Sequence, residues 1–331
     1  MTKPRIVFSH MAKTGGTALL YHFRQSLGPE AVLMHGPHTR VMSFFADELQ
    51  TEELSIEQRQ AASIVQGHGV TEQTLGLLGD PGFKLMVVLR APVGLTRSRF
   101  NHRVKGLQRR GISLDGAGFL KTYERNGLAG ALVRLFPTFV DDGGASGLEQ
   151  ALSVLRKFEY VYTTENLNAQ ARPMMRLHGL PEEIERKRVA GTSKLELDVS
   201  DRAILAENEV DQALFEATNH VVGGDGSTHN ALGFDAAARA DAYARVSAAQ
   251  PNGEQLRTIC YEKTANALCQ ELKGEAALLK IEVAPDTVRI LHLDRFSKIL
   301  RSRFENISGQ YNEAQASASA QHAAKWMRRH G

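Results

Sequence analysis

Residues 5–27 read RIVFSHMAKTGGTALLYHFRQSL, an apolar run, a glycine-containing turn and a helical pattern in succession. Arg5 to His10 is a short β-branched and aromatic run, which predicts a buried strand. After Met11-Ala12-Lys13-Thr14-Gly15-Gly16-Thr17, the residues Leu19, Leu20, Phe23 and Leu27 recur at helical spacing, and Gly28-Pro29 ends the pattern. The two glycines therefore fall between a strand and a helix. A loop of that kind offers free backbone N–H groups and the positive end of a helix to an anion. Lys13 adds a mobile positive charge, and Thr17 offers a hydroxyl at the start of the helix. The plainer alternative is an ordinary tight turn between strand and helix. The loop departs from the nucleotide-hydrolase pattern G-x-x-x-x-G-K-[ST]: its lysine precedes the glycines and no glycine opens it.

The same alternation repeats along the chain. Residues 31–35 (AVLMH), 62–66 (ASIVQ), 83–89 (FKLMVVL) and 159–164 (EYVYTT) read as further strands, with 83–89 the most hydrophobic and expected to be central. Residues 51–62 look helical. Pro92 suits the first turn of a helix running through His102, and 106–157 read as mostly helical with a glycine-rich break at 141–147. Residues 200–218 predict one amphipathic helix, with Ser200 as N-cap and Ile204, Leu205, Val210, Leu214 and Phe215 on its apolar face. Strands alternating with helices predict an α/β fold: a P-loop-like parallel sheet with helices on both faces. The expected domain is 1–235. Residues 236–331 form a mainly helical C-terminal extension of unassigned role, with helices at 236–249, 254–273 and 295–304, strand-like runs at 278–283 and 288–293, and a polar tail.

Bulk properties exclude several classes. Forty basic against 37 acidic residues give a formal charge of +3, too balanced for the basic stripe of a nucleic-acid-binding protein. Cys260 and Cys269 match no metal-ligand spacing and make no disulfide framework. No apolar run approaches the roughly 20 residues that span a bilayer, and the N-terminus lacks the apolar core of a signal peptide. The expectation is a cytoplasmic protein with no transmembrane segment.

Lys13, His68, Arg90 and Glu165 all lie at or just after predicted strand ends, where ligands bind in parallel sheets. Arg90 ends the strand 83–89, and its planar fork suits a phosphate; Ser98 follows two helical turns later, near enough to serve the same phosphate, or simply solvated. His68, flanked by Gly67 and Gly69, has an imidazole suited to general-base work, with a structural or substrate-contacting role as the alternative. Glu165 is the competing base. His35 and His38 are lesser candidates.

These residues resemble a family. HMAKTGGT (10–17) followed by an apolar helix looks like the 5'-phosphosulfate loop of the sulfotransferases that use 3'-phosphoadenosine-5'-phosphosulfate (PAPS), in particular their carbohydrate branch. LRAPVGLTRSRFNH (89–102) resembles their 3'-phosphate segment, YVYTTENL (160–167) a later strand ending in Thr-Glu, and the helix containing 208–215 the closing helix. The segments occur in the family's order over residues 5–220. Ala12 stands where the loop often has Pro, and Ala91 where the second segment often has Asp; neither change removes a ligand-binding side chain.

The resemblance implies that Lys13, Thr14, Gly15, Gly16 and Thr17 hold the 5'-phosphosulfate and that Arg90 and Ser98 hold the 3'-phosphate. Lys187 and Arg188 are expected to cover the nucleotide, with a solvated charge run as the alternative. His68 resembles the Gly-His base of some uronyl 2-O-sulfotransferases. PAPS is then the co-substrate, 3'-phosphoadenosine-5'-phosphate the product, no metal is needed, and the acceptor is a hydroxyl, a saccharide by resemblance. Two other readings remain: a P-loop kinase, and a catalytically inactive nucleotide- or glycan-binding module.

Overall fold

A computed structural model describes residues 3–34, 61–68, 70–108, 115–141, 146–185, 196–219 and 230–248. All of them belong to one compact unit, which spans 1–36 and 47–250. The expected helices and strands at 51–60 and beyond 248 lie outside the described residues.

Five strands form one parallel sheet: β1 (Ile6–Ser9), β2 (Val32–Met34), β3 (Ile64–Gly67), β4 (Lys84–Leu89) and β5 (Tyr160–Thr163), in the order β2-β3-β1-β4-β5. All four pairings are parallel, with Ile6 opposite both Ile64 and Lys84 and Met86 opposite Tyr160. The middle position thus falls to β1. The most hydrophobic strand, β4, lies beside it and is paired on both edges.

Successive side chains on a strand point to opposite faces. Both sets are buried here, so both faces of the sheet are covered. Val7, Val65, Leu85, Val87, Leu89 and Val161 share one cluster with residues of six helices. Those helices are α2 (Glu72–Leu78), α3 (Pro92–Gln108), α5 (Gly127–Leu135), α6 (Gly147–Leu155), α9 (Glu209–Thr218) and α10 (Ala236–Ala248). Ile6, Phe8, Met86, Val88, Tyr160 and Tyr162 are equally buried on the other face. There α1 (Gly16–Leu27) and α7 (Leu167–Leu177) bury Leu19, Phe23, Ala171, Met174 and Met175. Each large aliphatic side chain so buried stabilises the fold by about 1.5–3 kcal/mol. A smaller cluster joins α3 to α4 (Gly116–Thr122) and α8 (Asp201–Ala206) through Phe100, Phe119 and Ile204.

Two expectations need correction. Residues 200–218 are not one helix: α8 and α9 are separated at Glu207–Asn208. The cause is tertiary. Asn208 is buried and its Oδ1 accepts from the Asn126 N–H at 3.1 Å, while Asn126 Oδ1 accepts from the Val210 N–H at 3.0 Å. Each asparagine caps the other's helix, and this exchange outweighs continuous apolar periodicity. Asp211 adds to the junction by accepting from Leu128 and Ala129 N–H at the start of α5. Second, α10 packs within the sheet unit through Ala242 and Val246 instead of joining the C-terminal extension, because its Arg239 reaches the sheet.

Candidate functional site

The strands β3, β1, β4 and β5 end side by side on the carboxyl edge of the sheet. At about 4.8 Å per strand their ends span roughly 14 Å. His68 follows β3, the loop from His10 to Gly15 follows β1, Arg90 follows β4, and Thr164-Glu165 follow β5. The sheet thus sets four groups in a row, separated by up to 155 residues in sequence.

The loop after β1 takes a specific shape. Lys13 has φ +71° and Gly15 φ +91°, both in the left-handed region. For Lys13 that conformation costs about 1–2 kcal/mol, so surrounding contacts must hold it. Those contacts are visible. Arg90 Nη1 donates to Lys13 O at 3.0 Å, Thr164 Oγ1 to Thr14 O at 2.9 Å, and Gln66 Nε2 to Gly16 O at 3.0 Å. Thr14 is buried, and its hydroxyl donates to Met11 O at 2.8 Å. Its part in the loop is therefore to hold the turn.

With the carbonyls turned toward the protein, the amides point the other way. The N–H groups of Gly15, Gly16 and Thr17 donate to no described residue, and no acidic side chain stands in the first turn of α1. A left-handed residue followed by a helical one makes a concave nest of amides, and here it opens a helix of 12 residues. Gly16 is required on steric grounds: a Cβ there would overlap the His10 imidazole.

The histidines form a pair. The rings of His10 and His68 stack with centroids 4.1 Å apart and planes 27° from parallel. His68 Nδ1 lies 2.7 Å from His10 O. Burial, then His68 and Lys13, push the His10 imidazole well below its usual basicity. His68 is also lowered, chiefly because protein atoms surround the ring, with the His10 carbonyl opposing and Lys13 adding. One side of His68 stays open to solvent, which limits that depression.

On the other flank, Arg90 is half-buried, and burial lowers its basicity while Glu165 opposes the change. Its Nε has no hydrogen-bond partner among the described residues. Glu165 Oε1 accepts from the Ala91 N–H at 3.3 Å, so the carboxylate sits at the start of α3. Ser98 is half-buried in α3, and its hydroxyl bonds to no described residue.

The sequence-predicted residues Lys13, Thr14, Gly15, Gly16, Thr17, His68, Arg90 and Glu165 thus gather on one edge. Among the described residues, no hydrogen bond joins Ser98 to the others. Lys187, Arg188, His35 and His38 lie outside the described residues. Sequence reasoning missed His10, Gln66 and Thr164 as parts of the site. The one available signal was that each stands at the end of a predicted strand. Among the described residues, no three His, Cys, Asp or Glu side chains converge as metal ligands, and no helix is long and apolar enough to cross a membrane. No family model, curated protein or solved structure matches the chain.

Proposed function

We propose that the chain is a sulfotransferase that moves a sulfuryl group from PAPS to an acceptor hydroxyl, with a carbohydrate as the acceptor class. One observation carries the reading: the amides of Gly15, Gly16 and Thr17, which donate to no described residue, lie with Lys13 between an imidazole just after β3 and a guanidinium just after β4. An anion with two separated phosphate positions matches that arrangement. The loop would hold the 5'-phosphosulfate, and Arg90, with Ser98, the 3'-phosphate.

The donor supplies a sulfuryl group joined to a phosphate leaving group. The acceptor oxygen–sulfur bond forms as the bond from sulfur to the bridging phosphate oxygen breaks. His68 takes the hydroxyl proton, and the negative charge gained by the leaving phosphate falls on the loop amides and Lys13, donors fixed in place beforehand. The lowered basicity of His68 keeps it neutral, and so able to accept a proton, at neutral pH. Holding both reactants in line supplies much of the remaining rate.

The test is a thermal-shift titration with 3'-phosphoadenosine-5'-phosphate beside ADP and ATP, with and without Mg²⁺. Ligand at about 100 times its dissociation constant adds about 2.7 kcal/mol. Selective, metal-independent stabilisation by the 3'-phosphorylated nucleotide is expected. Stabilisation by ATP with Mg²⁺ alone would make the chain a P-loop kinase or hydrolase instead, and nucleotide binding without transfer to any hydroxyl would make it a binding module.

A further inference from the structure

His10 stands at the junction of the loop and His68. Its amide donates to Gly67 O at 3.1 Å, so its backbone is fixed against β3. Its ring fills the place that a side chain at Gly16 would take. The His68 ring stacks with it, 4.1 Å away. The His10 carbonyl faces His68 Nδ1 at 2.7 Å. A carbonyl oxygen can only accept, so Nδ1 of His68 must carry the hydrogen. In a neutral imidazole the lone pair then resides on Nε2, across the ring.

We infer that His10 is a positioning residue: its carbonyl selects the His68 tautomer whose Nε2 accepts the proton, and its ring, seated against Gly16, sets the plane of His68 relative to the anion loop. The catalytic meaning of this rests on the sulfotransferase reading. The loop and the base then form one packed unit, Gly16 to His10 to His68, the loop tied to His68 through the His10 carbonyl and ring. Displacing the His10 ring would let His68 tilt while leaving the loop's amides and their three side-chain anchors in place.

The experiment combines a spectrum with kinetics on the full chain. In protein labelled with ¹⁵N at histidine, the ring nitrogens of His68, assigned by their absence in His68→Gln, should show hydrogen on Nδ1 and a lone pair on Nε2. His10→Ala should lower kcat about tenfold, the scale of one lost ring stack. Its affinity for 3'-phosphoadenosine-5'-phosphate should be nearly unchanged, and the acidic limb of its pH–rate profile should move up as His68 becomes better solvated. His10→Phe keeps the ring and the stack and should restore most of the turnover. Hydrogen on Nε2 of His68 in the unaltered protein overturns the inference, as does unchanged turnover in His10→Ala. A chain that binds no 3'-phosphorylated nucleotide refutes the sulfotransferase reading instead, while the tautomer still decides what His10 does.

Discussion

The two ends of the same strands differ in how their polar groups are used. At the amino end, Arg5 pairs with Asp80 at 2.6 Å and lies over the Phe83 ring. Arg239 pairs with Glu159 at 3.2 Å and donates to Phe83 O, and Glu159 Oε2 accepts from the Leu85 N–H at 2.7 Å. Each of these two guanidiniums meets a carboxylate, and Glu159 also takes a strand amide. At the carboxyl end, three consecutive amides donate to nothing among the described residues, and a lysine is held in a left-handed conformation. Arg239 at the amino end anchors α10 to the sheet. Cations at the carboxyl end surround donors that lack an acceptor. An arginine at a strand terminus is thus no signal of function until the state of the neighbouring backbone is known.

The largest effect belongs to the amino end. Arg239 and Glu159 are only 10% and 13% exposed. Arg239→Ala leaves the carboxylate buried without its partner and should cost about 3–5 kcal/mol in urea unfolding. A loss under about 1 kcal/mol would mean the pair is not buried in solution. The same variant should bind 3'-phosphoadenosine-5'-phosphate with unaltered affinity. Arg90→Ala should do the reverse: about 1 kcal/mol of stability for one neutral-acceptor bond, against at least tenfold weaker nucleotide binding by calorimetry. If both variants lost stability and binding alike, the contrast between the ends would collapse.

Lys13 allows a finer cut. Lys13→Gly and Lys13→Ala both remove the ammonium, yet only alanine retains the strain of φ +71°. The glycine variant should be more stable by about 1 kcal/mol in chemical unfolding, with equally poor nucleotide binding. Equal stability would show that the loop relaxes out of its left-handed turn.

The smallest effect is in pH. His10, His22 and His68 are all less basic folded than the usual value near 6.5. Below that value the unfolded chain takes up protons that the folded chain refuses, so stability should fall as pH drops from about 7 toward the depressed folded values. Above pH 7 these groups are neutral in both states and contribute no slope. Urea midpoints measured from pH 8 to 5 should show the decline, and His10→Phe should lessen it. A flat profile would mean the imidazoles are better solvated than their surroundings indicate.

Much of this was legible in the sequence. Each strand end was marked by a short apolar run giving way to Gly, His, Arg or Thr-Glu, because a buried parallel strand must be apolar throughout while its exit need not be. Local signals of that kind placed Lys13, His68 and Arg90 on one edge. What could not be read was non-local. Nothing in the periodicity of 200–218 announces that Asn126 will cap it at Val210, and nothing near Thr164 says that its hydroxyl reaches Thr14. The order β2-β3-β1-β4-β5 is likewise a property of pairing. It is this order that sets His10 against His68.

The carbonyls of Lys13, Thr14 and Gly16 are each held by a side chain from a different neighbouring strand or its end: Arg90, Thr164 and Gln66. The loop is therefore ordered during folding, and an arriving anion meets amides that already face it. Little conformational entropy is left to lose on association, so more of the interaction energy is retained as affinity. Encounter should proceed without a slow rearrangement of the loop, and loop coordinates with and without a bound nucleotide should superimpose.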